Sequence, residues 1–149
     1  MNRSRRSTLG SETIEIVNRG DYIDPDGRRV DISQQVAKCV SETILYTPAD
    51  LSALVGALDA RANAKSLSTA FEVTNETTLA AARRIVADHG GEKTLCLNFA
   101  SAKNPGGGFL GGSQAQEESL ARSSALYASL ISQPTYYDAN HAFEINFTP

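Results

Sequence analysis

The 149-residue sequence contains two cysteines, two histidines, one methionine and no tryptophan, and its charges nearly balance. Cys39 and Cys96 lie far apart and do not form a CxxC spacing, so neither a structural metal site nor a disulfide framework is favoured. We therefore predict that both are reduced thiols in the core of a cytoplasmic protein, and we expect no bound metal.

Charge and hydropathy argue against two further classes of protein. The net charge of −3 is small and has the wrong sign for a nucleic-acid-binding surface. No apolar run approaches the roughly 20 residues that cross a bilayer. The basic start MNRSRRSTLG is not followed by an apolar segment of the kind found in secretory signals. We expect one globular unit with neither membrane nor nucleic acid as a partner.

Residues 1–66 are predicted to form an accessory helical region. Residues 1–10 are rich in arginine and serine and are expected to be frayed. The other elements predicted here are a helix from Ser11, two short strands joined at Pro25-Asp26-Gly27, a helix from Ser33, a strand from Thr43 to Tyr46 and a helix opened by Pro48. No cluster of chemically reactive groups stands out in this region.

Residues 67–149 are predicted to form an α/β unit. A strand from Leu67 to Thr74 is followed by a helix from Asn75 to His89, and then by the apolar run Thr94 to Ala100. Such a run is typical of a strand buried on both faces. The strand–helix–strand order predicts an α/β sandwich with a largely parallel centre. Ligands of such sheets bind beyond the carboxyl ends of the strands, where a glycine-rich segment follows here.

That segment contains five of the eleven glycines, between Gly106 and Gly112. Gly106, Gly108 and Gly111 match the dinucleotide pattern GxGxxG. However, residues 101–105 separate the predicted strand from the first glycine, and the pattern requires that glycine at the strand end. A P-loop is excluded because no Gly-Lys-Ser/Thr follows. The segment is therefore a different kind of loop, with backbone free to approach a ligand closely.

Paired glutamates follow the loop. Ser113-x-x-Gln116 has the spacing of a capping box, which predicts a helix start with Glu117 and Glu118 in the first turn. Carboxylates are favoured there for structural reasons alone. Alternatively, the loop N–H groups would bind phosphate while the carboxylates bind sugar hydroxyls or act on a glycosidic bond. The residues by themselves leave both interpretations open.

The combination of Gly106-Gly107-Gly108, seven intervening residues and Gln116-Glu117-Glu118 resembles the GGG-X(6–8)-QEE signature of poly(ADP-ribose) glycohydrolases. The flanking NFASAKNPGGGF and QEESLARSSALY resemble the microbial type. The resemblance implies a macrodomain-like three-layer α/β/α sandwich with an N-terminal helical extension. Family members are considerably longer, so residues 67–149 would correspond to the N-terminal half of the catalytic domain, with further strands and a second diphosphate loop beyond Pro149.

The resemblance also implies roles for individual residues. Glu118 would be the catalytic acid–base, and Glu117 would hydrogen-bond ribose hydroxyls beside the scissile bond. Asn104 and Gln116 would belong to the substrate-binding set, with Asn104 on the distal ribose. Residues Gly106, Gly107 and Gly108 would wrap that ribose and the diphosphate. The implied ligand is ADP-ribose or poly(ADP-ribose), including polymer carried on ADP-ribosylated proteins, and the reaction needs no cofactor.

Three functions remain open from the sequence. The first is hydrolysis of the ribose–ribose bond of ADP-ribose polymers with release of ADP-ribose. The second is a module that binds ADP-ribose without cleaving it, although such a module has no need of Glu118. The third is an inactive fragment, since the implied ligand site extends into the part of the domain beyond this chain.

Overall fold

The computed structural model describes residues 1–61, 68–89 and 94–142. These ranges contain a two-stranded antiparallel sheet, several helices and a 3-10 turn within the glycine-rich loop. The elements are α1 (Arg3–Arg19), β1 (Asp21–Ile23), β2 (Arg29–Asp31), α2 (Ser33–Ser41), α3 (Pro48–Arg61), α4 (Thr78–His89), a 3-10 turn (Phe109–Gly111), α5 (Gln116–Ala121), α6 (Leu126–Ile131) and α7 (Pro134–Ala142). No helix in the described ranges is long and apolar enough to cross a membrane.

The first helix begins eight residues before the predicted start at Ser11. Asn2 caps α1, because its side-chain oxygen accepts a hydrogen bond from the Arg5 N–H at 2.9 Å. The helix ends at Gly20, where φ is +80° and the glycine N–H donates to the Ile16 carbonyl. The prediction that residues 1–10 are frayed is therefore wrong. The sequence of this polar segment does not show that it packs, because its packing partner lies about a hundred residues away in the chain.

The predicted hairpin is confirmed. Tyr22 pairs with Val30 in the antiparallel register of β1 and β2. In the connecting turn the Asp24 carboxylate accepts hydrogen bonds from the N–H groups of Asp26 and Arg28, at 2.9 and 2.8 Å. This is the side-chain-to-backbone bonding that aspartate favours in turns.

Asp21 connects α1 to the hairpin. Its carboxylate is buried and accepts hydrogen bonds from the guanidinium groups of Arg19 and Arg29. The bond from Arg19, followed by that from Arg29, holds the pKa of Asp21 below its usual value. The carboxylate thus fixes the end of α1 against β2.

Three segments predicted as strands form no paired strands. Residues 43–46, 68–74 and 94–100 contain neither helix nor strand in the described structure, and Leu67 lies outside the described residues. The side chains of Leu95 and Phe99 are 97% and 72% exposed. A strand requires a neighbour that bonds its N–H and C=O groups. An apolar run indicates burial but cannot show that such a neighbour is present.

Three smaller predictions are also corrected. Cys39 and Cys96 are exposed and free, not buried in the core. Cys39 lies on the outer side of α2, whereas Cys96 belongs to the unpaired run. The helix expected from Asn75 begins at Thr78, after Thr77 accepts a hydrogen bond from the Ala80 N–H. Pro48 does open α3 as predicted, and the proposed boundary at residue 66 lies outside the described residues.

The buried core is small and is centred on the glycine-rich loop. The hydrophobic residues in it are Phe109, Ala121 and Tyr137, of which Phe109 is only 1% exposed. The Phe109 ring lies 5.1 Å from that of Tyr127 and packs against Gly10 of α1. The segment predicted to contact a ligand therefore also supplies the main packing residue of the described structure.

Two glycines with similar backbone conformations provide a test of this packing. Gly27 and Gly112 have φ of +81° and +75°, but a Cβ at Gly27 would meet nothing within 4 Å, while one at Gly112 would collide with the Arg3 backbone oxygen. Gly27→Ala should cost about 1 kcal/mol, from the left-handed conformation alone. Gly112→Ala should cost about 3 kcal/mol or more, because overpacking is added. Urea unfolding measures both, and equal costs would contradict the close approach of α1 to the loop.

Candidate active site

The loop from Asn104 to Ser113 folds back on itself through its own backbone. The Gly107 N–H donates to the Asn104 carbonyl at 2.9 Å, and the N–H groups of Gly111 and Ser113 both donate to the Gly108 carbonyl, at 3.0 and 3.1 Å. Gly106 and Gly107 have φ of +71° and +59°. Residues other than glycine rarely adopt this conformation, so the shape of the turn requires glycine at positions 106 and 107.

Both glutamate carboxylates approach this turn at one point. A Cβ placed on Gly107 would lie 2.5 Å from Oε1 of Glu118 and 3.4 Å from Oε2 of Glu117. The neighbouring Gly108 N–H donates to Glu118 Oε1 at 3.1 Å. Only glycine at position 107 leaves room for this arrangement.

The two glutamates have different surroundings. Glu117 is 3% exposed, and its Oε2 accepts a hydrogen bond from the Ser101 N–H at 2.7 Å. The Asn98 amide nitrogen lies 3.5 Å from Glu117 Oε1. Glu118 is only half-buried, and the Gly108 N–H is its one hydrogen-bond donor in the described part of the chain. Glu118 is therefore the carboxylate with capacity left to bind another molecule.

The Gln116 side chain is directed towards the run before the loop. Its Oε1 accepts from the Phe99 N–H at 2.7 Å, while its Nε2 donates to the Leu97 carbonyl at 2.8 Å and to Thr78 Oγ1 at 3.2 Å. The amide thus bonds the backbone of residues 97 and 99 in the way that a neighbouring strand would. The predicted capping box is not formed, because Gln116 is engaged here and Ala115 occupies the N-cap position of α5.

Arg122 lies behind the glutamates and is 9% exposed. Its Nη1 donates to the Ser113 carbonyl at 2.7 Å. Burial, and then the positive charge of Arg6, lower the pKa of Arg122, while the negative charge of Glu118 acts in the opposite direction. The Arg122 guanidinium is thus close to the Glu118 carboxylate, but the two form no ion pair in the described structure.

Tyr137 is 7% exposed and lies beside Glu117. Burial, followed by the charge of Glu117, raises the pKa of Tyr137 to about 12. Its hydroxyl and Oδ1 of Asn98 are buried atoms without a hydrogen-bond partner among the described residues. The phenol is therefore held neutral next to the glutamate pair.

The structure brings most of the predicted site residues together. The glycine triplet, Glu117 and Glu118 meet as described, whereas Asn104 is exposed at the outer edge of the turn and contributes its backbone carbonyl to it. The sequence analysis missed Ser101, Arg122 and Tyr137. Arg122 could have been found from its spacing, because it follows Glu118 by one helical turn. Ser101 acts through its backbone N–H, which leaves no signal in the sequence.

No cluster of three or more potential metal-ligating side chains occurs within the ranges 1–61, 68–89 and 94–142. The site combines two carboxylates, a glycine-rich backbone and a nearby guanidinium. Such a set suits acid–base work on a ligand that carries both hydroxyl and phosphate groups.

The chain is similar to proteins of one known family. The family model for the microbial-type PARG catalytic domain matches residues 10–147. Crystal structures of poly(ADP-ribose) glycohydrolase from Thermomonospora curvata match 93% of the chain: one without a named ligand at 49% identity and TM-score 0.85, and one bound to the inhibitor ADP-HPD at 48% identity and TM-score 0.81. A variant of that enzyme with one glutamate replaced by alanine matches at 47% identity and TM-score 0.81. None of the curated proteins matches.

The chain belongs to the microbial-type PARG catalytic domain family. Over the part that it covers, it shares the macrodomain-like fold of these structures, as predicted. The chain spans only 48–50% of the length of the three crystallised proteins. The unpaired runs before the loop therefore belong to a chain that covers about half of each matched structure.

The Gln116 contacts lead to a prediction about the backbone. Gln116→Ala removes the acceptor of the Phe99 N–H, so amide hydrogen exchange at Phe99 should accelerate about fivefold, as expected for the loss of one hydrogen bond worth about 1 kcal/mol. Exchange at Ser101 should rise as well, because the same segment carries the donor to Glu117. Gln114→Ala is the matched control, since Gln114 is exposed two residues earlier. Equal exchange in both variants would contradict the role of the Gln116 amide.

The raised pKa of Tyr137 predicts that the fold loses stability at alkaline pH. A folded-state pKa near 12, compared with about 10 in the unfolded chain, stabilises the fold below pH 10. This contribution should disappear as the pH rises from about 10 to 12, because the unfolded chain loses its proton first. Tyr137→Phe should remove that part of the pH dependence of the unfolding free energy, whereas Tyr46→Phe, at an exposed position, should not. Equal slopes in all three proteins would disprove this assignment.

Proposed function

We propose that the chain carries the acid–base half of a poly(ADP-ribose) glycohydrolase site and that Glu118 is its catalytic residue. The observation that supports this proposal is the contact of Glu118 with the glycine-rich loop. The Gly108 N–H donates to the Glu118 carboxylate, and the absence of a side chain at Gly107 leaves room for it. This contact places a partly exposed carboxylate against a backbone that is free of side chains. A sugar or diphosphate lying on that backbone would reach the carboxylate directly.

The contrast between the two glutamates supports the assignment of roles. Glu117 is buried and already accepts a backbone hydrogen bond from Ser101. A general acid–base must reach the reacting oxygen and exchange its proton with water, which Glu118 can do from its half-buried position. Glu117 would instead orient the ribose, using its Oε1 atom, which lies 3.5 Å from the Asn98 amide nitrogen.

In the proposed reaction, protonated Glu118 donates to the 2′-oxygen that leaves from the ribose–ribose bond. The C–O bond breaks as the anomeric carbon takes on oxocarbenium character. The Glu118 carboxylate then accepts a proton from the water that attacks this carbon, and the products are a free 2′-hydroxyl and ADP-ribose. Protons and oxygens balance with one water consumed, and the acid form of Glu118 is restored.

Residues of the loop would hold the ligand during these steps. Gly106, Gly107 and Gly108 would lie against the distal ribose and the diphosphate, because their backbone carries no side chain that blocks approach. Asn104, exposed at the edge of the turn, would contact the distal ribose. Gln116 would support this site from behind, since its amide oxygen and nitrogen already bond Phe99, Leu97 and Thr78.

The substrate class follows from the family and from the inhibitor that the crystallised relative binds. That relative is a poly(ADP-ribose) glycohydrolase with ADP-HPD bound. We therefore propose ADP-ribose polymers, free or attached to proteins, as the ligands of this chain. A cytoplasmic location fits the two free, exposed cysteines, because exposed thiols persist unpaired in a reducing compartment. The division into an accessory region, residues 1–66, and a catalytic half, residues 67–149, is likewise proposed.

Glu118→Gln tests the proposal. The amide keeps the size of the side chain but cannot transfer the proton, so release of ADP-ribose from labelled polymer should fall at least about 10²-fold. Binding of ADP-ribose, measured by calorimetry, should stay within several-fold. Glu42→Gln is the control, because Glu42 is an exposed glutamate at the end of α2 that forms an ion pair with Lys38.

The other outcomes identify the alternatives. Binding of ADP-ribose without hydrolysis by the unmodified chain would indicate a binding module. Absence of both binding and hydrolysis would indicate an inactive fragment. Turnover by Glu118→Gln at the rate of the unmodified chain would reject Glu118 as the acid–base.

A further inference from the structure

Helix α1 contacts the far side of the glycine-rich loop through one face. Arg3, Arg6 and Ser7 lie at the spacing that places side chains on the same side of a helix. Arg3 Nε donates to the Gly111 carbonyl at 2.8 Å, Arg6 Nε to the Gly112 carbonyl at 2.7 Å, and Ser7 Oγ to the Leu110 carbonyl at 2.5 Å. Three successive loop carbonyls are thus bound by side chains of a single helix.

The same helix also touches the loop through glycines. A Cβ on Gly10 would lie 3.2 Å from both the Phe109 ring and the Phe109 carbonyl oxygen, and a Cβ on Gly112 would collide with the Arg3 backbone. Further along α1, Thr13 Oγ1 donates to the Arg122 carbonyl at 2.7 Å. The helix and the loop are therefore in direct backbone contact, with hydrogen bonds on both sides of it.

The loop consequently has different partners along its length. The carbonyls of residues 110–113 accept hydrogen bonds from Ser7, Arg3, Arg6 and Arg122, in that order. At the beginning of the loop, the Gly108 N–H donates instead to Glu118. A segment with three glycines at positive φ has an unusually large conformational freedom to lose, and bonds from outside the segment restrict it to one arrangement.

We propose that Arg3, Arg6 and Ser7 are positioning residues that clamp the glycine-rich loop against Glu118. They act through the carbonyls of residues 110–112 and not through the substrate, so the clamp is present before any ligand binds. Its effect on turnover rests on the proposed function, whereas its effect on the loop does not. The N-terminal segment then contributes to the active site by holding the loop in place, although its sequence does not indicate this role.

The double variant Arg3→Ala/Arg6→Ala removes two of the donors while retaining a good helix former at both positions. Arg5→Ala is the matched control, because Arg5 lies on the same turns of α1 and its guanidinium lies 4.0 Å from the exposed carboxylate of Glu12. Single variants Arg6→Ala and Ser7→Ala are measured in parallel, so the test does not depend on the folding of the double variant. Circular dichroism verifies the helix content of each protein.

The first measurement is amide hydrogen exchange in the ligand-free chain. The N–H groups of Gly111, Gly112 and Ser113 are bonded inside the loop, and their exchange should accelerate at least tenfold in the double variant. The single variants should show smaller increases, while Arg5→Ala and the amides of α2 should be unchanged. Exchange in the double variant equal to that in Arg5→Ala would overturn the proposal.

The second measurement separates kcat from KM for release of ADP-ribose. A loop that has lost its alignment with Glu118 should lower kcat about tenfold and raise KM less, and Arg6→Lys should recover part of the loss because a lysine can still donate to the carbonyl. Faster loop exchange with unchanged kcat in the folded double variant would overturn the positioning role. Faster loop exchange in a chain that hydrolyses nothing even when unmodified would support the clamp and reject the proposed function.

Discussion

The close approach of the Glu118 carboxylate to Gly107 and Gly108 is the constraint on which the rest of the described structure depends. It requires glycine at position 107, because any side chain there would displace the carboxylate. It requires the first turn of α5 to face the loop, since the hydrogen bond from Gly108 has to reach the carboxylate of a helical residue. It also fixes where the second glutamate can lie, beside the Ser101 N–H. A mutation that shifts either the loop or the helix therefore affects both carboxylates together.

The loop has a structural role in addition to its proposed chemical one. Phe109, the most completely buried large side chain, is part of the loop and packs against Gly10 and Tyr127. Catalytic segments are more often surface loops held by a separate scaffold. In this chain the scaffold contact and the candidate site share one short segment, so changes in stability and in activity are expected to be coupled there. The segment that carries the family signature therefore also forms part of the buried core.

Local chemistry explains which parts of the fold were predicted correctly. The hairpin at Pro25-Asp26-Gly27, the start of α3 at Pro48 and the two glutamates in the first turn of α5 all follow from residues that are neighbours in sequence. Apart from the start of α4, which a local cap at Thr77 sets, the wrong predictions concern long-range partners. Residues 1–10 are ordered because they contact residues near 110, and Gln116 leaves the predicted capping box because it bonds residues 97 and 99.

The sequence by itself determined the family and the identity of the candidate acid–base, because the glycine triplet and the paired glutamates are close enough in the chain to be recognised by their spacing. Tertiary structure decided the rest of the site. It buried Glu117 and left Glu118 partly exposed, it brought Arg122 and Tyr137 beside them, and it placed α1 against the loop. The reason is physical: carbonyls and N–H groups of the backbone make most of these contacts, and every residue type carries the same backbone groups, so no pattern of side chains in the sequence reveals which of them will meet.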